Sequence, residues 1–358
     1  MTNITVASAN KVQQWSKDYQ TEYTRESGFR EFMGKDDNSP FRVVSDLTKN
    51  AGETVNIPYF AALSGAGVTG STALYGAEEA LPNYACQVRV SYFRNGVGIG
   101  ADEAYKTNLD LANVARGSLK AWSGNKLRDD CKEALGHVIV KDSGVLPDTY
   151  VNYSDATAGQ RNAYLVNNTD RMLFADTVGG TVMATQLATI TGAKTLSSTM
   201  INKARSMARS TSTFSITPHR MDSKAGREWF VLFVGPEGYA SALADASILA
   251  ANKDARVRGV EDNPIFQAGD LIWNGVIIRE IPELGNLGTV GAASAPVAPA
   301  YLCGANAVAV AYSKYATPVT QQFDYGRVNG VGIEEIRGIN KFSVAGVQTG
   351  MVSLFHAI

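Results

Sequence analysis

The stretch from Asp102 to Leu135 constrains the fold more than any other part of the chain. Tyr105, Leu109, Ala112, Ala115, Leu119 and Trp122 recur three and four residues apart, which puts them on one stripe of an α-helix. Leu127, Cys131 and Leu135 continue the stripe after a phase shift at Ser123-Gly124. Glycine inside a helix costs about 1 kcal/mol relative to alanine, so a bend is expected there. This is the longest helix the chain predicts. The surrounding pattern is two mixed α+β lobes joined by that helix.

Before it, Val12, Trp15, Tyr19 and Tyr23 fall at helical spacing in a polar background, the mark of a short amphipathic helix. A glycine- and charge-rich connector comes next, ESGFREFMGKDDNSPF, so this opening reads as an arm that lies on another surface. Glu53 to Phe60 alternates polar and apolar residues like a strand, and Ala85 to Gly98 is a second strand. The small-residue stretch SGAGVTGSTALYGAEEALPN between them makes an extended hairpin. Both strands mix polar with apolar residues, so the hairpin is expected to dock on a neighbour rather than enter a core.

After the long helix, residues 136–195 read as irregular. Thr195 to Arg209 reads as a helix with Leu196, Met200, Ile201, Ala204 and Met207 inward. Glu228 to Gly235 is a buried strand that runs into Pro236 and the helix EGYASALADASILA. Leu271 to Ile281 is a hairpin turned at Asn274-Gly275. Tyr301 to Tyr312 fits one buried strand, and the tail from Pro318 is mostly β with a closing strand near Gly350 to His356.

Composition bounds the function. The chain has 358 residues, 45% hydrophobic and 19% charged, an ordinary folded composition. Its net charge of -1 argues against a dedicated nucleic-acid binder, though not against a container whose wall only borders DNA. Cys86, Cys131 and Cys303 are far apart with no C-x-x-C pair, so they read as reduced thiols, neither a disulfide frame nor a zinc site. No signal-peptide pattern, no membrane-length apolar run and no solenoid repeat is legible.

Several motifs resemble active-site chemistry. Gly65-Ala66-Gly67-Val68-Thr69-Gly70 matches G-x-G-x-x-G after a strand, the dinucleotide-binding pattern. The next residues make at best a short helix broken by Pro82, with no βαβ unit, so a loop tip is the better reading. His137, His219 and His356 are isolated, with neither H-E-x-x-H spacing nor a G-x-S-x-G elbow. The acid pairs Glu78-Glu79, Asp129-Asp130 and Glu334-Glu335 could serve acid/base chemistry, but adjacent acids more often face solvent or a basic partner. Lys203, Arg205 and Arg209, and Lys253, Arg256 and Arg258, lack the interleaved aromatics of single-strand binders. No catalytic, cofactor or metal residue is assigned.

The order arm, long hairpin, long helix, α/β lobe and returning β tail resembles the Hong Kong 97 (HK97-like) α+β fold of tailed-bacteriophage major capsid proteins. LSGAGVTGSTALYGAEEAL is similar to the hairpin tip of the N4-type major capsid family. GREWFVLFVGPEGYASALADA, NPIFQAGDLIWNGVIIREIPEL, LCGANAVAVAYSK and FDYGRVNGVGIEEIRGINKF resemble lobe segments of that family, in the same order.

The resemblance implies an N-arm over 1–50, making contacts through Val12, Trp15, Tyr19 and Tyr23. It implies an E-loop hairpin over 51–100, with Gly65, Gly67, Val68, Thr69, Tyr75, Glu78 and Glu79 as tip contacts between subunits. A spine helix would take 101–140, an axial lobe 141–315, a peripheral β region 316–345 and a returning strand 346–358. The partners implied are further copies in hexamers and pentamers, a portal protein, a separate scaffolding protein, a cement protein and packaged double-stranded DNA, without a membrane or a cofactor. The product would be a virion shell assembled in the host cytoplasm. The scaffold is expected to be separate because the arm begins almost at Met1. No lysine lies between Lys49 and Lys106, so no E-loop isopeptide crosslink is expected; a covalent ladder on denaturing gels is the observation against that. The rival functions are an encapsulin-type nanocompartment shell and, from the glycine motif, an oxidoreductase.

Overall fold

The computed structural model describes residues 27–45, 52–63, 65–71, 73–76, 78–107, 109–141, 148–211, 214–222, 227–254 and 270–358. The described chain divides into two units. The smaller holds Tyr92–Lys126 and Lys314–Ile336; the larger holds Ser27–Ser91, Leu127–Ser313 and Arg337–Ile358.

The larger unit is built on one mixed sheet. Its strand order begins with Leu271–Trp273, Val276–Glu280, Arg227–Val234 and Val297–Cys303, and continues through Met351–Ala357, Met172–Phe174 and Thr177–Val178. Successive side chains of a strand point to opposite faces, and here both faces are apolar. Phe230, Leu232, Val234, Ala300, Leu302, Val352 and Leu354 fill one core with the buried side of helix Ser198–Ser210. Val231, Phe233, Tyr301, Cys303 and Met351 fill the other, against Phe29, Phe32, Phe41 and Leu135. A sheet covered on both faces needs near-continuous apolar strands, which is why REWFVLFV and MVSLFHA read as they do.

The long helix spans Leu111–Gly136, with a separate short helix at Ala101–Tyr105. The expected 102–135 helix is therefore two; the longer continues through Ser123-Gly124, and the division falls between Tyr105 and Leu111. Asp110 causes it: its Oδ1 accepts from the amides of Ala112 and Asn113, both at 3.1 Å, which is N-cap geometry. Tyr105 consequently leaves the stripe and is exposed, while Ala115 and Leu119 stay buried. Asp245 similarly splits the helix after Pro236 into Pro236–Ala244 and Ala246–Asp254, accepting from the amide of Ser247 at 2.8 Å.

Three further expectations are corrected. The described residues of 136–195 include strands Val138–Val140 and Thr149–Val151 and helices Ala158–Asn167 and Met183–Leu187. Thr157 opens the third of these with a reciprocal capping box to Gln160. The single strand expected over 301–312 is two, Val297–Cys303 and Val308–Phe323, separated by a turn that puts Asn306 at positive φ. The second hairpin strand is also two, Asn83–Arg89 and Ser91–Gly100. The first pairs with Thr54–Phe60, while the second neighbours Val328–Lys341. The hairpin at Asn274-Gly275 forms as read, both residues having positive φ.

In the smaller unit, residues 314–323, 328–336 and 92–100 are neighbouring strands. Their open face carries Tyr92, Val319 and Phe323 around Gly96, Gly330 and Gly332, lining a concavity of about 550 Å³. Glu334 accepts from the Tyr92 hydroxyl and the Lys314 ammonium, which holds its carboxyl below the usual range.

Candidate functional site

Thr54–Phe60 and Asn83–Arg89 pair antiparallel from Thr54↔Arg89 to Phe60↔Asn83. Their alternation divides the hairpin into two faces. Val55, Ile57, Cys86 and Val88 are buried within the subunit, so the base is a core element, against the expectation that the hairpin docks on a neighbour rather than entering a core. The sulfur of Cys86 lies 3.7 Å from the Tyr150 hydroxyl, and burial pushes the thiol pKa up. Toward the tip, Tyr59 meets the rings of Phe214 at 5.7 Å and Phe342 at 6.3 Å, and Tyr84 meets Phe214 at 5.3 Å. On the outer face Gln87 donates to Asn56 at 3.0 Å, and Arg89 pairs with Glu53. Gly338 makes the close approach possible: a Cβ there would stand 2.1 Å from the Arg89 carbonyl oxygen.

Beyond this anchor the side chains face solvent. Phe60, Leu63, Leu74 and Leu81 are each more than half exposed, and Tyr75 is 95% exposed. Residues 61–82 carry Glu78 and Glu79 and no basic group, so the tip has a charge of -2. The structure shapes it with those acids. The Glu79 carboxylate accepts from the Gly65 amide at 2.7 Å, and the Glu78 carboxylate from the Gly76 amide at 2.7 Å. Of the expected tip residues, Gly65, Gly67, Thr69, Tyr75, Glu78 and Glu79 are exposed and Val68 is half-buried. Val12, Trp15, Tyr19 and Tyr23 lie outside the described residues.

The dinucleotide reading fails on this geometry. A G-x-G-x-x-G turn binds pyrophosphate through amides at a helix N-terminus. Here the Gly65 amide already faces a carboxylate, and none of the described residues of 65–82 is helical.

Of the other suspected groups, Arg256 and Arg258 lie outside the described residues, and the following have structural partners. Asp129 pairs with Arg128 and Lys132, and Asp130 with Arg337 at 2.7 Å. Lys203 reaches the Asp176 carbonyl, Arg205 donates to Asn274 at 3.2 Å, and Arg209 pairs with Glu228 at 2.6 Å. His219 lies 2.9 Å from the Asn38 carbonyl. Burial and the nearby Lys341 push His137 down to about 4. Among the described residues no cluster of three metal-ligating side chains occurs, and no helix is long and apolar enough to cross a membrane.

A hairpin rooted in its own subunit, with an apolar acidic tip held away from that subunit's core, suits contact between copies of a chain. Comparison with known proteins decides which kind of assembly. Residues 3–353 match the model of the phage capsid protein family. The chain belongs to that family. The capsid protein is 38% identical to the capsid subunit of cyanophage Pam1, with a TM-score of 0.91 over 100% of this chain and 99% of that one. It is 23% identical to the major capsid protein of Pseudomonas phage KPP25, over 91% of this chain and 88% of that protein. The capsid subunit of Ralstonia phage GP4 shares the fold at 22% identity, with a TM-score of 0.73 over 99% of this chain and 98% of that one. The fold is HK97-like, and the role is that of a shell subunit of a phage virion. This favours the virion shell over the nanocompartment and the oxidoreductase. The family match reaches phage capsid proteins at large; the N4-type likeness remains a reading of the sequence strings.

One feature that sequence reading missed is a buried polar cluster in the larger unit. Lys341, Arg171, Asn168, Gln348 and Ser353 are all buried there. A lysine in GINKFS, with Asn340 on one side and Ser343 two residues on, gives no local sign that it will be buried.

Proposed function

We propose that the capsid protein closes an icosahedral shell as hexamers and pentamers, each hairpin tip seating on an adjacent copy. The observation carrying this is the contrast within one hairpin: a base buried in its own subunit and a tip exposing Phe60, Leu63, Leu74, Tyr75 and Leu81. Covering one large apolar side chain contributes about 1.5–3 kcal/mol, and a closed shell repeats the contact many times. The E-loop role belongs to residues 54–89, and the peripheral role to the unit of residues 92–126 and 314–336. The interior holds double-stranded DNA without reading its sequence, a portal occupies one vertex, and a separate scaffold acts on the shell. The chain has no catalytic role.

The test is the double substitution Leu74→Ser, Tyr75→Ser. Both side chains are exposed in the subunit, so its melting temperature is expected to stay within about 1–2 °C of the parent. Shell yield on a sedimentation gradient is expected to fall at least tenfold. Normal shell yield would remove the tip from the interface.

A further inference from the structure

Lys341 ends the strand Val328–Lys341 and is 1% exposed. Its Nζ lies 2.9 Å from the His137 carbonyl oxygen, 2.8 Å from the Tyr164 hydroxyl and 3.4 Å from Gln348 Oε1. The Tyr164 hydroxyl donates to Gln348 Oε1 at 2.5 Å, so its oxygen accepts from the lysine. Gln348 is fixed with Oε1 toward the amine because its Nε2 donates to the Arg171 carbonyl at 3.3 Å. Three acceptors thus surround an ammonium, which has three N–H groups. Among the described residues no carboxylate pairs with the ammonium; the ionisable groups beside it are the Tyr164 hydroxyl, His137 and the Cys303 thiol.

An amine that loses its proton keeps two N–H groups and gains a lone pair. The Tyr164 hydrogen can then turn from Gln348 to that lone pair, and the displaced proton leaves to solvent. Gln348 also holds the turn between Ser343–Val344 and Val347–Gln348. Its amide donates to Asn168 Oδ1 at 2.8 Å, and its carbonyl accepts from Arg171 at 2.5 Å.

We infer that Lys341, Tyr164 and Gln348 form a proton-operated device in the subunit core, with one hydrogen-bond pattern when the lysine is charged and another when it is neutral. Burial pushes the lysine down to about 7, so both patterns are reached near neutrality. The groups facing it are His137 and the Asp130–Arg337 pair from the long helix and its strand partner, Tyr164 and the Arg171–Asp170 pair, Tyr301 and Cys303 from the central sheet, and Asp148 beyond Ser343. Between about pH 7 and 10.5 the unfolded chain carries the lysine proton and the folded chain does not. Stability therefore rises with pH across that window and is lowest below it.

The experiment compares thermal unfolding of the full-length parent and Lys341→Met from about pH 6 to 9. Histidines and thiols are common to both, and His137, which burial and Lys341 hold down at about 4, titrates below the scanned range, so the difference between the profiles reports Lys341. The parent midpoint is expected to climb by several degrees more than the variant's. Parallel profiles would overturn the inference. A variant that does not fold leaves calorimetry of the parent in two buffers of different ionisation enthalpy, near pH 8. Net proton uptake on unfolding is expected, less than one per chain because Cys86, Cys131 and Cys303, held up by burial, release part of a proton when exposed; zero uptake or net release would overturn it.

Discussion

Phe233→Ala is expected to destabilise the larger unit by about 3–5 kcal/mol, a fall in melting temperature on the order of 10 °C. Phe233 has no exposed surface. Its ring lies 5.2 Å from Phe29, 5.3 Å from Phe32 and 5.8 Å from Phe41, all in edge-on arrangements. Such pairs add about 0.5–1.5 kcal/mol beyond area burial. The three partner rings all come from residues 29–41, and through them that segment packs on this face of the central sheet. Alanine leaves a cavity that rigid strands cannot close, and it loosens that segment. Limited proteolysis near residue 30 should accelerate along with the loss of stability. A loss below about 1 kcal/mol in equilibrium denaturation would mean that the aromatic cluster does not anchor the segment.

Arg337→Met is expected to cost a similar 3–5 kcal/mol, for a different reason. The Arg337 side chain is 1% exposed and lies 2.7 Å from Asp130, itself 14% exposed. The pair is a close ionic contact and not a well-directed hydrogen bond. Removing the guanidinium takes an ion-pair partner from a largely buried carboxylate of the long helix, and breaking such a pair costs more than the pair contributes. Replacing both partners, Arg337→Met with Asp130→Leu, should cost less than Arg337→Met alone, with a coupling above about 1 kcal/mol in the double-mutant cycle. Additive losses would show that the two side chains act independently.

How much of the fold is legible in the sequence depends on the range of the forces involved. The Asn274-Gly275 hairpin is legible because its turn needs two adjacent residues at positive φ, a purely local demand. The long helix is legible from periodicity, but its start is not, because the Asp110 cap overrides an apolar stripe that continues N-terminal to it. The strands within 136–195 run two or three residues; they exist through pairing with distant partners, as Met172–Phe174 does with Ser353 to Phe355. The hairpin at residues 54–89 shows both sides of this. Its alternation revealed two strands and a tip, yet the surface its base packs on comes from Tyr150, Phe214 and Phe342, more than 60 residues away. The glycine motif was legible as a loop tip from its context, but nothing local says that Glu79 takes the Gly65 amide.

A shell subunit whose exposed hairpin tip is covered by a second copy is tested most directly by cryo-electron microscopy of particles assembled from this chain. Closed shells are expected, with Leu74 and Tyr75 lying against an adjacent subunit. Shells whose residues 61–82 stand free in solvent, or a chain that stays monomeric when co-expressed with its head-assembly partners, would contradict that role.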